Sequence, residues 1–102
     1  QLIALTPRIA REHNSDPNAL VVLPERSGAL VQGVLQGSPA ESSGLRRGDL
    51  VVEVDQLVVS DPQILLEQVE NAQIGAPLAL KVIRNSREIS LSVTPEALPG
   101  LD

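Results

Sequence analysis

Ser38-Pro39-Ala40-Glu41-Ser42-Ser43-Gly44-Leu45-Arg46-Arg47-Gly48-Asp49-Leu50-Val51-Val52-Glu53-Val54-Asp55 sets helix, turn and strand signals one after another in a fixed order. Ser38 has the side chain of an N-cap, and Pro39 suits a first helical position, where its missing N–H is harmless. Gly44 is placed to stop that helix after one or two turns by taking a left-handed conformation. Leu45 then drops an apolar side chain inward, Arg46 and Arg47 stay in water, and Gly48-Asp49 makes a turn. Leu50-Val51-Val52-Glu53-Val54 is rich in β-branched residues and reads as a buried strand. Helix-turn-strand corners occur in many α+β domains, but the string S-P-A-x-x-x-G-L-x-x-G-D-x-(apolar)-x-x-V-D is far more specific than a corner.

Upstream, Gln1 to Leu5 is short and apolar and reads as a strand, followed by Thr6 as N-cap and Pro7 in the first turn of a helix through Asn14. From Ser15 to Gly28 prolines and turn residues bracket the apolar patch Ala19-Leu20-Val21-Val22-Leu23, which reads as a surface excursion carrying a short extended edge. Ala29 to Leu35 is expected as a strand, and Leu57-Val58-Val59 as a short extended piece. Ser60 or Asp61 caps the longest helix, Pro62 to about Ala72. Pro62, Leu65, Leu66, Val69 and Ala72 form one apolar stripe on it, with Ile64 outside the stripe. Leu78 to Arg84 and Glu88 to Val93 are strands of a hairpin joined by Asn85-Ser86-Arg87. The tail 95–102 is expected to be flexible.

The 102 residues suffice for one domain with one core, taken as 1–94, with 15–28 as the surface excursion. Hydrophobic residues make up 42% of the chain, yet Phe, Tyr, Trp, Met and Cys are absent, so the core is aliphatic. Without cysteine there are no disulfides, thiolate metal sites or thiol nucleophiles. A net charge of −5 and the lack of any ring to stack on a base exclude nucleic acid as a partner. The apolar runs are too short to cross a bilayer, so no membrane insertion is expected. The start at Gln1, with neither an initiator Met nor a leader pattern, reads as a piece of a longer protein.

The string from Ser38 to Asp55 resembles the signature of a PDZ domain, and the element order resembles the bacterial, circularly permuted form in which the ligand-binding strand comes first. The implied fold is α+β, a PDZ-like partly open β-barrel or sandwich of five to six strands capped by two or three helices. Leu5-Thr6-Pro7-Arg8-Ile9-Ala10-Arg11-Glu12 resembles the segment after the first strand in HtrA/Deg-type serine proteases. The proline-bracketed excursion that follows is similar to those of photosynthetic bacteria and plastids.

The resemblance implies that an extended peptide, usually a protein C-terminus, adds as a strand beside the first strand and lays alternate side chains against the long helix. Carried over position by position, the peptide-binding residues are Leu2, Ile3, Ala4, Leu5, Pro62, Leu66 and Val69. Leu2 and Ala4 would point toward the groove, Ile3 and Leu5 toward the other face, and Leu65 and Ala72 toward the core. In the family the carboxylate-binding loop sits directly before the first strand, and this chain begins at Gln1 without it. The family also has glycine after the aspartate that ends the second core strand, where this chain has Gln56 after Asp55.

Nothing in the chain supports catalysis. A serine protease needs His, Asp and Ser together with an oxyanion hole, and the chain has one histidine, His13, and no G-x-S-x-G elbow. His13 reads as a solvated residue near a helix end. Asp49, Glu53 and Asp55 read as turn caps and a solvated face, and Arg46-Arg47 as solvated charge. Metal ligands are scattered and no phosphate-binding glycine pattern exists, so no metal and no cofactor are expected.

The expected function is a non-catalytic, peptide-binding regulatory module of an HtrA-like serine protease. The expected partners are C-terminal or unfolded protein segments and the adjacent protease domain. The alternatives are an assembly or interdomain packing module, or the PDZ domain of another membrane protease or secretion component. The resemblance implies an extracytoplasmic setting, periplasm or thylakoid lumen, a homo-oligomeric parent and a monomeric fragment.

Overall fold

The computed structural model describes residues 2–20 and 22–95; Gln1, Val21 and the expected tail from 96 onward lie outside the described residues. The chain opens with strand β1 (Leu2–Leu5) and helix α1 (Pro7–Asn14). Thr6 caps that helix by accepting the Ile9 N–H on its hydroxyl at 3.2 Å, with Pro7 in the first turn. Strand β2 (Gly28–Val31) and the single-turn helix α2 (Pro39–Ser42) follow. Ser38 caps α2, and Gly44 ends the turn at φ +93°, the left-handed conformation its position requires. Strands β3 (Leu50–Val54) and β4 (Leu57–Val58), helix α3 (Pro62–Asn71), and strands β5 (Leu78–Arg84) and β6 (Arg87–Val93) complete the order.

The strands form one open antiparallel sheet in the order β1-β2-β3-β5-β6, with β4 paired to β3 off this path. Among the described residues this six-stranded sheet with three helices is the PDZ-like fold anticipated from the sequence. β2 is shorter than the expected Ala29 to Leu35. Its far end is occupied by the turn before β3, where the Val31 N–H donates to the Asp49 carbonyl at 2.9 Å and the Gly48 N–H to the Val31 carbonyl at 2.8 Å. Gln32 to Leu35 therefore leaves the sheet and crosses toward α2. The hairpin loop is also tighter than expected: Asn85 and Ser86 alone make it, at φ 52° and 65°, and Arg87 pairs with Arg84. Asp55 and Gln56 form a similar two-residue turn at φ 46° and 70°, so Gln56 adopts the conformation for which glycine is the natural choice.

The sheet buries both faces. The larger cluster joins Ala29, Val31, Val51, Val54, Val59, Leu65, Leu78, Leu80 and Val82 beneath α3. The smaller joins Leu5, Ala10, Leu23, Leu30, Leu50, Val52 and Ile83. β3 serves both because it carries an irregularity: Val51 pairs with Val82 but Glu53 with Lys81, which leaves Val52 as the extra residue. The bulge flips the side-chain alternation, so Val54 returns to the larger cluster. Ile64, expected outside the stripe of α3, is half-buried against that cluster.

Among its described residues the excursion after α1 forms no strand before β2. Asn14 clips it, its side-chain amide donating to the Leu23 carbonyl and accepting the Leu23 N–H, each at 2.8 Å. Leu23 is thereby buried, while Leu20 and Val22 project at 97% and 83% exposure.

Candidate functional site

α3 begins where Asp61, rather than Ser60, caps it, accepting the Gln63 N–H at 2.8 Å and the Ile64 N–H at 3.4 Å. The stripe on this helix divides by depth. Leu65 is buried in the larger cluster, while Leu66 and Val69 stand 45% and 42% exposed along its flank. These two side chains form one wall of an apolar cleft of about 340 Å³. Leu2 and Val31 contribute from β1 and β2, Leu78 and Leu80 from β5, and Val93 from β6. Val34 and Leu35 close it from the crossing segment, with Pro39, Ala40 and Leu45 from the α2 corner. Among the described residues no charged side chain lines the cleft; the polar side chain of Ser38 is already engaged, donating to the Leu35 carbonyl at 2.6 Å.

Of the residues singled out from the sequence, Leu2, Leu66 and Val69 meet in this cleft. Leu5 lies fully buried in the second cluster, on the opposite face of the sheet. Ile3 and Ala4 are exposed on β1, and Pro62 is half-buried at the start of α3; none of the three lines the cleft. The walls supplied by Val34, Leu35, Ala40, Leu80 and Val93 were not among the expected site residues. Leu45, read as inward-facing, was the one sequence signal for the α2 corner. β1 is the terminal strand of the sheet and pairs, among the described residues, with β2 alone, so its outer edge faces α3 across the cleft.

The ionisable groups cluster elsewhere. Asp49 is 1% exposed and receives two bonds from Arg84, Nε to Oδ1 at 2.8 Å and Nη2 to Oδ2 at 2.6 Å. It also accepts the Arg46 N–H at 2.9 Å, while Arg84 Nη2 donates to the Gly44 carbonyl at 2.8 Å. Asp49 thus caps its turn as expected but is buried rather than solvated. The hydrogen bonds to Asp49 raise the pKa of Arg84 against the opposing effect of burial. On the sheet, Lys81 meets Glu53 at 3.1 Å. That hydrogen bond and charge, with Glu88 adding to them, raise the Lys81 pKa. Both pairs are structural, and neither reaches the cleft. Among the described residues no group of three or more His, Cys, Asp or Glu side chains could hold a metal ion, and no helix is long and apolar enough to cross a membrane.

The geometry has close counterparts among known proteins. The sequence profile of the PDZ domain matches residues 10–94. The serine protease HhoA, so named in Synechocystis sp., is 41% identical over 93 residues, which are 91% of this chain and 24% of that protein. The chain thus spans about a quarter of the length of the curated relatives it matches first. Other relatives bear the name of periplasmic serine endoproteases, DegP-like. The structure of the HtrA-type protease AlgW with a decapeptide superposes at a TM-score of 0.78 with 28% identity, over 97% of this chain and 28% of that one. The HtrA3 PDZ domain bound to a phage-derived ligand, FGRWV, superposes at 0.72 with 28% identity, over 94% of this chain and 80% of that one. An open antiparallel sheet with an apolar cleft between its first strand and its longest helix, and a sequence that matches this profile from α1 to the end of β6, agree: the chain belongs to the PDZ domain family, in the form carried by HtrA/Deg-type serine proteases.

Proposed function

We propose that this domain is the non-catalytic peptide-binding and regulatory module of an HtrA-like serine protease. It takes an extended or C-terminal protein segment as an added strand along β1, with apolar side chains seated in the cleft against α3. The observation that carries this reading is the juxtaposition of an outer strand edge at Leu2–Leu5 with an aliphatic cleft walled by Leu66 and Val69. Backbone hydrogen bonds along the edge supply affinity, and the cleft supplies selectivity. The solved structures of AlgW with a decapeptide and of the HtrA3 PDZ domain with FGRWV are consistent with it. Relatives named as periplasmic proteases support an extracytoplasmic setting. In this reading Leu2, Ile3, Ala4 and Leu5 provide the strand, while Pro62, Leu66 and Val69 provide the helix wall.

The test is an NMR titration with free-carboxylate peptides ending in Val, Leu, Ala or Phe, repeated on a chain extended upstream by about ten residues to include the loop before β1. Shifts at Leu2–Leu5 and Leu66–Val69, lost in Leu66→Glu, are expected. No shift in either chain at millimolar peptide sinks the proposal.

A second reading, assembly or interdomain packing, draws on the excursion, where Leu20 and Val22 stand in solvent on a segment clipped by Asn14. Exposed apolar side chains grouped in this way mark contact surfaces. If it holds, Leu20→Ser/Val22→Ser leaves peptide binding intact but weakens association of the domain with its protease.

A further inference from the structure

The sheet has a second open edge, remote in strand order from β1. Among the described residues β6 pairs with β5 alone. The two-residue loop Asn85-Ser86 is closed by Arg84 opposite Arg87, and in such a hairpin that flanking pair exchanges both of its N–H···O bonds. Alternation then makes Val82 with Ile89, Leu80 with Leu91 and Leu78 with Val93 the bonded pairs. The N–H and C=O groups of Glu88, Ser90 and Ser92 must therefore point away from β5. The side chains divide in the same way. Ile89, Leu91 and Val93 are half-buried against the larger cluster, while Glu88, Ser90 and Ser92 are exposed.

We infer that β6 is a self-pairing edge, joining two copies of this chain by antiparallel strand addition about a twofold axis through Ser90. In that register Ser90 faces Ser90 of the second copy, Glu88 faces Ser92, Ile89 faces Leu91 and Arg87 faces Val93. Every outward N–H and C=O from 88 to 92 finds a partner, the apolar row of one copy continues that of the other, and no charge meets its like. Other registers do worse. A twofold through Ile89 or Leu91 leaves outward groups without a strand partner, and one through Glu88 sets two carboxylates opposite each other. One seven-residue strand buries a small area, so the dimer is weak, with a Kd on the order of 0.1–1 mM, and it forms where copies are already concentrated. It leaves both β1 edges open for strand addition, although Val93 of the pairing strand also lines the cleft.

The register makes the test specific. Sedimentation equilibrium from about 10 μM to about 1 mM should show concentration-dependent dimerisation. Ser92→Lys places an ammonium opposite Glu88 twice per dimer and should tighten association about two- to tenfold, whereas Ser92→Glu should weaken it by a similar factor. Ser90→Pro removes an outward N–H without touching the bonds to β5 and should leave a folded monomer. A chain that stays monomeric up to the top concentration, a dimer that survives Ser90→Pro, or Ser92→Lys and Ser92→Glu moving the equilibrium the same way would each overturn the inference.

Discussion

Asp49 shows how much rests on a single residue. A carboxylate at 1% exposure is tolerable because Arg84 faces it with two hydrogen bonds and the Arg46 N–H adds a third. Removing the guanidinium strands a buried charge. Arg84→Met is therefore expected to lower unfolding free energy by about 3 kcal/mol or more, which for a domain of this size lowers Tm by roughly 12 °C or more. Arg84→Met/Asp49→Leu, which removes both charges, should recover much of that loss, and thermal and urea unfolding of the two variants decide it. Additive losses would mean that the pair is not coupled as the geometry indicates. None of this was visible in the sequence. Gly48-Asp49 reads correctly as a turn, but the partner that pulls Asp49 inward stands 35 positions away and no local pattern links them.

At the scale of elements, what the chain makes plain is what it encodes locally. Thr6-Pro7, Ser38-Pro39 and Asp61-Pro62 each announce a helix by an oxygen-bearing cap followed by proline, and each helix starts there. The end of β2 and the bulge in β3 were not legible, because both are fixed by which strand lies opposite, a tertiary fact. The cap on α3 gives a direct test: Asp61→Ala frees the Gln63 and Ile64 N–H groups and should cost about 1 kcal/mol in denaturant unfolding. An unchanged midpoint would mean that packing of Leu65 alone fixes the helix start. The turn at Asp55-Gln56 gives the opposite sign. Gln56 sits at φ 70°, where an L side chain costs free energy that glycine does not. Asp55 ties the same turn to β5, its Oδ1 accepting the Ala79 N–H at 2.8 Å and its N–H donating to the Ala79 carbonyl at 2.7 Å. Gln56→Gly should therefore stabilise the domain by about 0.5–1 kcal/mol net of the flexibility it adds to the unfolded chain. A destabilised Gln56→Gly would show that the side chain has a role beyond filling the turn.

At the scale of the whole molecule, the cleft and the second core cluster lie on opposite faces of the sheet. The cleft belongs to the face that carries α3, whereas Leu5 anchors β1 from the other side, within a cluster that shares no residue with the cleft. The apolar stripe of α3 marked a packed helix face, and the family resemblance placed Leu66 and Val69 on its groove side. The stripe could not show that Val34, Leu35 and Val93 complete the groove, since these come from two segments distant from the helix in sequence. The division has a measurable consequence, on the reading that the cleft binds peptide. Peptide at about 100 times its Kd should add about 2.7 kcal/mol to unfolding free energy, a rise in Tm of roughly 10–20 °C for a domain of about 100 residues. Leu5→Ala empties a fully buried site and should cost about 2–5 kcal/mol without peptide. Its peptide-induced increment should nevertheless match the parent's at equal saturation, because Leu5 lines no part of the cleft. Leu66→Glu should do the reverse, keeping the unliganded Tm within a few degrees, since the side chain is 45% exposed, and abolishing the increment. If Leu5→Ala loses the increment as well, the two faces are energetically coupled through β1, and the second cluster is part of the binding machinery rather than its foundation.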